Sequence, residues 1–173
     1  ESEKRSNLNQ SNLALGVHFP LMNDENRYSA EIFSTILGQG MSSKLFREVR
    51  EKRGLVYGVK TDFDSGKNYG YFVIWAGTDP GNVEKVEKVC LEEFSKMGQV
   101  TLKELEAAKI QVIGNRLVGN EGSSEVAVGL TFEEFSGNAE DYYRYVEKIN
   151  AVNLEDVRSF ADKTEFARFS LGP

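Results

Sequence analysis

Residues 37–57, LGQGMSSKLFREVREKRGLVY, constrain the fold more than any other stretch of the chain. A glycine-flanked turn opens a short helix with Ser42 or Ser43 as its cap, because a hydroxyl there can accept an orphan backbone N–H. That helix has to stop at Gly54, where the chain passes straight into the apolar, β-prone run Leu55-Val56-Tyr57. The order sets a guanidinium on the last helical turn, at Arg50, and a phenol at the start of the next strand, at Tyr57. Two long polar side chains can then converge on one spot.

Leu13, Leu15, Val17 and Phe19 alternate with Ala14, Gly16 and His18, the period-2 pattern of a strand with one buried face. Asn26 stands where it could cap a helix over 27–37, with Tyr28, Ile32, Phe33 and Ile36 on one side and Gly38 as the stop. In the 42–53 helix, Leu45, Phe46 and Val49 point inward. Residues 55–63 and 69–78 read as a hairpin around the turn-rich 64–68. Pro80 belongs in the first turn of a helix whose Val83, Val86, Val89 or Cys90, Phe94 and Met97 form one stripe. Thr101-Leu102-Lys103-Glu104 is a capping box opening a helix to about 118. Further helices are predicted over 121–137 and 139–152, then one capped by Asn153 to about 163, and a last strand over 167–171. The pattern is that of an α+β, two-layer sandwich, a largely antiparallel sheet with helices packed on one face. Residues 1–173 read as a single domain with 1–11 as a linker, since no Pro/Ser-rich break divides the rest.

Composition excludes several function classes. The chain is 40% hydrophobic and 28% charged, with no apolar run near the ~18 residues of a membrane span. A net charge of −6 opposes binding to a phosphate backbone, and the basic stretch 44–53 is interleaved with Glu48 and Glu51. Neither a membrane nor a nucleic acid is an expected partner. One cysteine, Cys90, rules out an internal disulfide, which agrees with a reducing, cytoplasmic setting. The chain starts at Glu1 instead of Met, which suggests a piece of a longer protein, so the lack of a leader carries no weight.

Catalytic motifs of the usual kinds are missing. A zinc hydrolase needs about three protein ligands, mostly His with a carboxylate, and His18 is the single histidine. No metal site is expected in this chain. Cys90 falls on the apolar stripe of its helix, which reads as a buried thiol. A serine triad would have only His18 as base, leaving Ser42 and Ser43 as caps. GQGMSSK lacks the GxxxxGK[ST] spacing of a phosphate loop and follows a helix instead of a strand. The acidic group Glu133, Glu134, Glu140 and Asp141 reads as a solvated surface. Taken as residues alone, Arg50 and Tyr57 also admit a structural role, one favouring the helix dipole and the other burying its ring.

LGQGMSSKLFREVREKRGLVYGV closely resembles the second-domain signature of the pitrilysin, insulin-degrading enzyme and mitochondrial processing peptidase family of zinc peptidases. NLNQSNLALGVHFP is similar to that family's entry strand, YGYFVIWAGTDP to its hairpin partner and ARFSLGP to its final strand, so the likeness covers nearly the whole chain. It implies a chamber enclosed by similar α/β domains. The first would carry zinc on a His-x-x-Glu-His motif; the second would supply the residues matching Arg50 and Tyr57. This chain, with one histidine, resembles the second domain and departs from the complete enzyme in lacking the zinc motif. By that resemblance, Tyr57 donates to the oxyanion on the attacked carbonyl, and Arg50 holds a neighbouring peptide carbonyl.

The expected function is therefore the substrate-binding, transition-state-stabilising half of a zinc metalloendopeptidase. Its partners would be a zinc-bearing N-terminal domain or paired subunit and the peptide substrates, and by itself it would be inactive. The alternative is a non-catalytic structural homologue resembling the core subunits of respiratory complexes, which would have no need of Arg50 and Tyr57. An unrelated α+β binding module is the third reading, disfavoured by the length of the 37–57 match.

Overall fold

The computed structural model describes residues 1–173 throughout. In chain order the elements are β1 (Ser2–Lys4), β2 (Ser11–His18), α1 (Arg27–Gly38), a π-helical segment (Phe46–Glu51), β3 (Val56–Ser65) and β4 (Gly70–Thr78). They are followed by α2 (Val83–Ser95), α3 (Leu102–Gly119), α4 (Ser123–Ser136), α5 (Asp141–Ala151), α6 (Leu154–Ser159) and β5 (Ala167–Gly172). The sheet order is β1-β5-β2-β4-β3, and every pairing is antiparallel except β1 with β5. Ser2–Lys4, inside the stretch read as a linker, forms an exposed edge strand.

Period-2 alternation does the sorting of faces. On β2, Leu13 and Leu15 are 1% exposed, while His18 faces solvent. On β4, Phe72, Ile74 and Ala76 turn inward beside them. Helices α1 and α2 cover this face, with Ile32, Phe33, Val86, Cys90 and Phe94 buried against it. Phe33 meets Phe72 edge-on at 5.6 Å and Phe94 at 5.0 Å, geometries that favour aromatic pairs beyond their buried area. α3 and α5 pack on α1, and α4 packs on α5. The result is the expected α+β sandwich with one helical face. The other sheet face is bare, leaving Tyr71, Trp75 and Phe169 about two-fifths exposed.

Local signals hold in part. The capping boxes at Thr101/Glu104 and Asn153/Asp156 are both made. Asn26 makes no side-chain cap; it sits in a helical conformation and its carbonyl accepts from the Ser29 hydroxyl instead. Ser43 likewise is a donor, to the Gly40 carbonyl at 2.8 Å, and caps nothing. The 42–53 helix is shorter than expected and mostly π-wound. Lys52 N–H reaches the Arg47 carbonyl at 2.9 Å, five residues back. The wider turn buries Leu45 and Val49 but leaves Phe46 only half-buried. The hairpin turn is shorter than 64–68, because the ladder runs on to Ser65 opposite Gly70 and Asp64 accepts from the Tyr71 hydroxyl at 3.2 Å. Glu133 corrects the solvated reading of its acidic group: it is 6% exposed and paired with Arg27 at 2.5 Å where α4 closes over the start of α1.

Two glycines are required by geometry. A Cβ on Gly38 would lie 2.3 Å from Thr61 Cγ2, so α1 could not approach β3 as closely; there the Thr61 hydroxyl donates to the Ser34 carbonyl at 2.8 Å. Gly54 has φ +59 with open space around its missing Cβ, so only the backbone conformation demands glycine. Gly38→Ala should cost about 1–3 kcal/mol by overpacking, and Gly54→Ala about 1–2 kcal/mol of left-handed strain. Denaturant midpoints would check both, and an unchanged Gly38→Ala midpoint would contradict the close contact.

The Lys44–Glu104 ion pair ties the π-helical segment to α3. Burial alone would raise the Glu104 carboxyl, but donors from Lys44 and from the backbone and hydroxyl of Thr101 outweigh it and hold it at about 2, below its ordinary 4.5. Because the folded value is depressed, the stability it contributes is fully present above about 4.5 and lost as pH falls toward about 2. In Glu104→Gln, the urea midpoint should therefore fall less steeply over that interval than in the parent.

Candidate functional site

The site is built where the π-helical segment turns into β3. Gly54 N–H donates to the Arg50 carbonyl and Leu55 N–H to the Val49 carbonyl, both at 3.0 Å. With Gly54 left-handed, the first bond is the single link of an αL cap, and the second encloses it one residue further out on each side. Leu55 is then buried, and its carbonyl accepts from the Thr78 hydroxyl at 2.5 Å, tying the start of β3 to the end of β4.

Tyr57 comes next, at a break in the ladder. Val56 faces Thr78 and Gly58 faces Gly77, so Tyr57 is an extra residue in a β-bulge. The bulge puts Tyr57 and Gly58 both on the solvent side, and the Tyr57 ring is 58% exposed. Its hydroxyl donates to Asp79 Oδ1. That hydrogen bond, followed by slight burial and the Asp79 charge, raises the phenol above its ordinary value. Asp79 is extended, φ −66 and ψ 146, as expected of a residue before Pro80.

Arg50 lies in the last helical turn, where the helix dipole favours a cation. Its guanidinium stacks on the Phe46 ring at 4.9 Å and is exposed, with no carboxylate in ion-pair range. Glu48, in the same segment, is engaged by Lys52 and Arg53. Arg50 and Tyr57 thus lie on either side of the Gly54 turn, each open to solvent, one resting on Phe46 and the other on Asp79.

One hollow borders each of the two elements that this turn joins. One, of about 320 Å³ on the bare sheet face, is lined by Asn12, Gly58, Lys60, Trp75 and Gly77 beside the bulge. The other, of about 400 Å³, lies between the π-helical segment and α3, with Ser42, Lys44, Arg47 and Lys103 on its walls.

Other reactive groups are spent on structure. Burial raises the Cys90 thiol to about 12, which suppresses the thiolate. Tyr145 donates to Glu31 at 2.6 Å between α5 and α1, and burial raises both groups. No three His, Cys, Asp or Glu side chains lie together as a metal site would need, so the donors present do not fit zinc. Sequence reasoning missed Asp79. The signal lay in the register: once the end of β4 is set opposite Val56, residue 79 falls beside Tyr57.

The chain is similar to known proteins in sequence and in fold. Residues 1–112 match the family described as the Peptidase M16 inactive domain. A zinc protease of Streptomyces coelicolor is 32% identical over 155 residues, 88% of this chain but 34% of the relative. The chain thus spans about a third of that relative's length. Among solved structures, a protease from Helicobacter pylori superposes with TM-score 0.86 at 23% identity, covering 100% of this chain and 43% of that one. A chain of complex III from Candida albicans superposes with TM-score 0.87 at 18% identity, covering 99% of this chain and 45% of the other. At those identities the two structures share the fold alone. A family match over most of the chain, with relatives that are zinc proteases and no zinc ligands of its own, makes this chain a member of the Peptidase M16 inactive-domain family.

Proposed function

We propose that this domain is the substrate-binding, transition-state-stabilising half of a zinc metalloendopeptidase, working in a chamber shared with a zinc-bearing domain or subunit. The observation that carries the reading is the open placement of Arg50 and Tyr57 about one left-handed turn in a family whose relatives are named zinc proteases. Neither side chain is consumed by the core. Zinc on the partner would supply the Lewis acid and the activated water. Tyr57 would donate its O–H to the oxyanion as it forms, and Arg50 would hold a neighbouring peptide carbonyl in the ground state. Residues 1–173 would act as one domain, and peptide would enter over the bare sheet face. No helix is long and apolar enough to cross a membrane. The lone, buried Cys90 fits a reducing compartment, and on that ground we place the domain in the cytoplasm.

A second reading, a non-catalytic structural subunit, is favoured by the superposition on the complex III chain. The presence of both Arg50 and Tyr57 weighs against it. Kinetics of the full-length protein, or of this domain with its zinc-bearing counterpart, would decide. Tyr57→Phe should lower turnover on the order of 100- to 1000-fold with little change in KM, because the donor acts in the transition state. Arg50→Ala should also raise KM. Both variants should keep the parent melting temperature and zinc content, since neither group is core or ligand. Full turnover in Tyr57→Phe, or a loss only in proportion to lost fold, would sink the proposal.

A further inference from the structure

We propose that Asp79 is a latch on Tyr57, holding the phenol in a parked position that must open before the hydroxyl can serve a substrate. This rests on the function proposed for Tyr57 and adds its regulation. A phenol has one O–H to donate, and here it is committed to Asp79 Oδ1. A second acceptor, such as a peptide oxyanion, can be served only after that bond is given up. Asp79 has no cationic partner, so its charge stands unneutralised beside the phenol and disfavours an oxyanion at the same oxygen.

The local build suits an exchange of partners. Tyr57 is the extra residue of the bulge, so moving its ring breaks no cross-strand pair. Asp79 is exposed and held in place by Pro80 behind it and by the Asn82 N–H, which donates to its backbone carbonyl at 2.9 Å. When the phenol leaves, water takes its place on the carboxylate, so release costs little. The proton stays on the phenol throughout; only the acceptor changes, from carboxylate to oxyanion. Asp79 therefore acts through Tyr57 as a positioning residue and has no direct part in the chemistry. The bare sheet face contains a second pair of this kind, Tyr71 on Asp64 at 3.2 Å, near the far end of the β3–β4 hairpin. It provides an internal control.

The test is Asp79→Asn in the full-length protein, which keeps an oxygen acceptor and removes the charge. Weakening a charge-assisted bond to a neutral one should raise kcat about fivefold with KM unchanged, because the competent phenol is more often free. The gain should vanish in a Tyr57→Phe background, and Asp64→Asn should leave turnover as in the parent. Separately, titration of ring-labelled tyrosine, with the Tyr57 signal assigned by its loss in Tyr57→Phe, should show the phenol moving down toward its ordinary range in Asp79→Asn. A kcat that falls or stays level, an equal change in the Tyr57→Phe background, or an unmoved Tyr57 titration would each overturn the latch while leaving the oxyanion role standing. Full turnover in Tyr57→Phe would overturn the oxyanion role, and the latch with it.

Discussion

Everything at the candidate site depends on the αL closure at Gly54. Two hydrogen bonds at 3.0 Å end the π-helical segment and reverse the chain within one residue, and a left-handed φ makes that residue glycine. The closure delivers Leu55 into the core and Thr78 onto its carbonyl, so the start of β3 cannot drift relative to β4. With both anchored, one extra residue has to be accommodated before the ladder resumes at Gly58. Tyr57 is that residue, and it faces water as a consequence.

The same logic accounts for the two sheet faces. One is paved with Leu13, Leu15, Phe72 and Ile74 and covered by α1 and α2, and burial of that apolar area is the chief stabilising term for a domain of this kind. The other carries Trp75, Phe169 and Tyr71 half in water, separated by Gly16, Gly58 and Gly77. A domain that spans about a third of the length of its Streptomyces coelicolor relative keeps this open surface apart from its core. Its own titratable groups agree: those shifted furthest, Cys90 and Tyr145, are buried in structure, while Arg50 and Tyr57 stay in solvent.

The fold was legible in the chain wherever the signal was local. Alternation on β2, the stripe on α2, the capping box at Thr101, the cap at Asn153 and the stop at Gly54 each depend on residues a few positions apart, and each survived intact. Local rules failed where two acceptors or two packings compete. Asn26 and Ser43 have cap chemistry, yet each ends up in a different hydrogen bond. A helical period does not reveal the π-winding that leaves Phe46 half-buried, since only the hydrogen bond from Lys52 to Arg47 sets the wider turn.

By itself, the sequence determined the α+β class, the order of elements, the helix–glycine–strand reversal and the single histidine, because periodicity, caps and residue inventory are properties of neighbours and counts. The tertiary structure decided the rest. Tyr57 meets Asp79 across 22 positions, and Arg27 meets Glu133 across 106, the second turning a carboxylate that reads as solvated into a buried partner. Such contacts depend on strand register and on how helices close over the sheet, which no short window of sequence contains. A one-residue bulge is enough to decide whether a tyrosine faces the core or solvent, and that bulge exists only once β3 and β4 have paired.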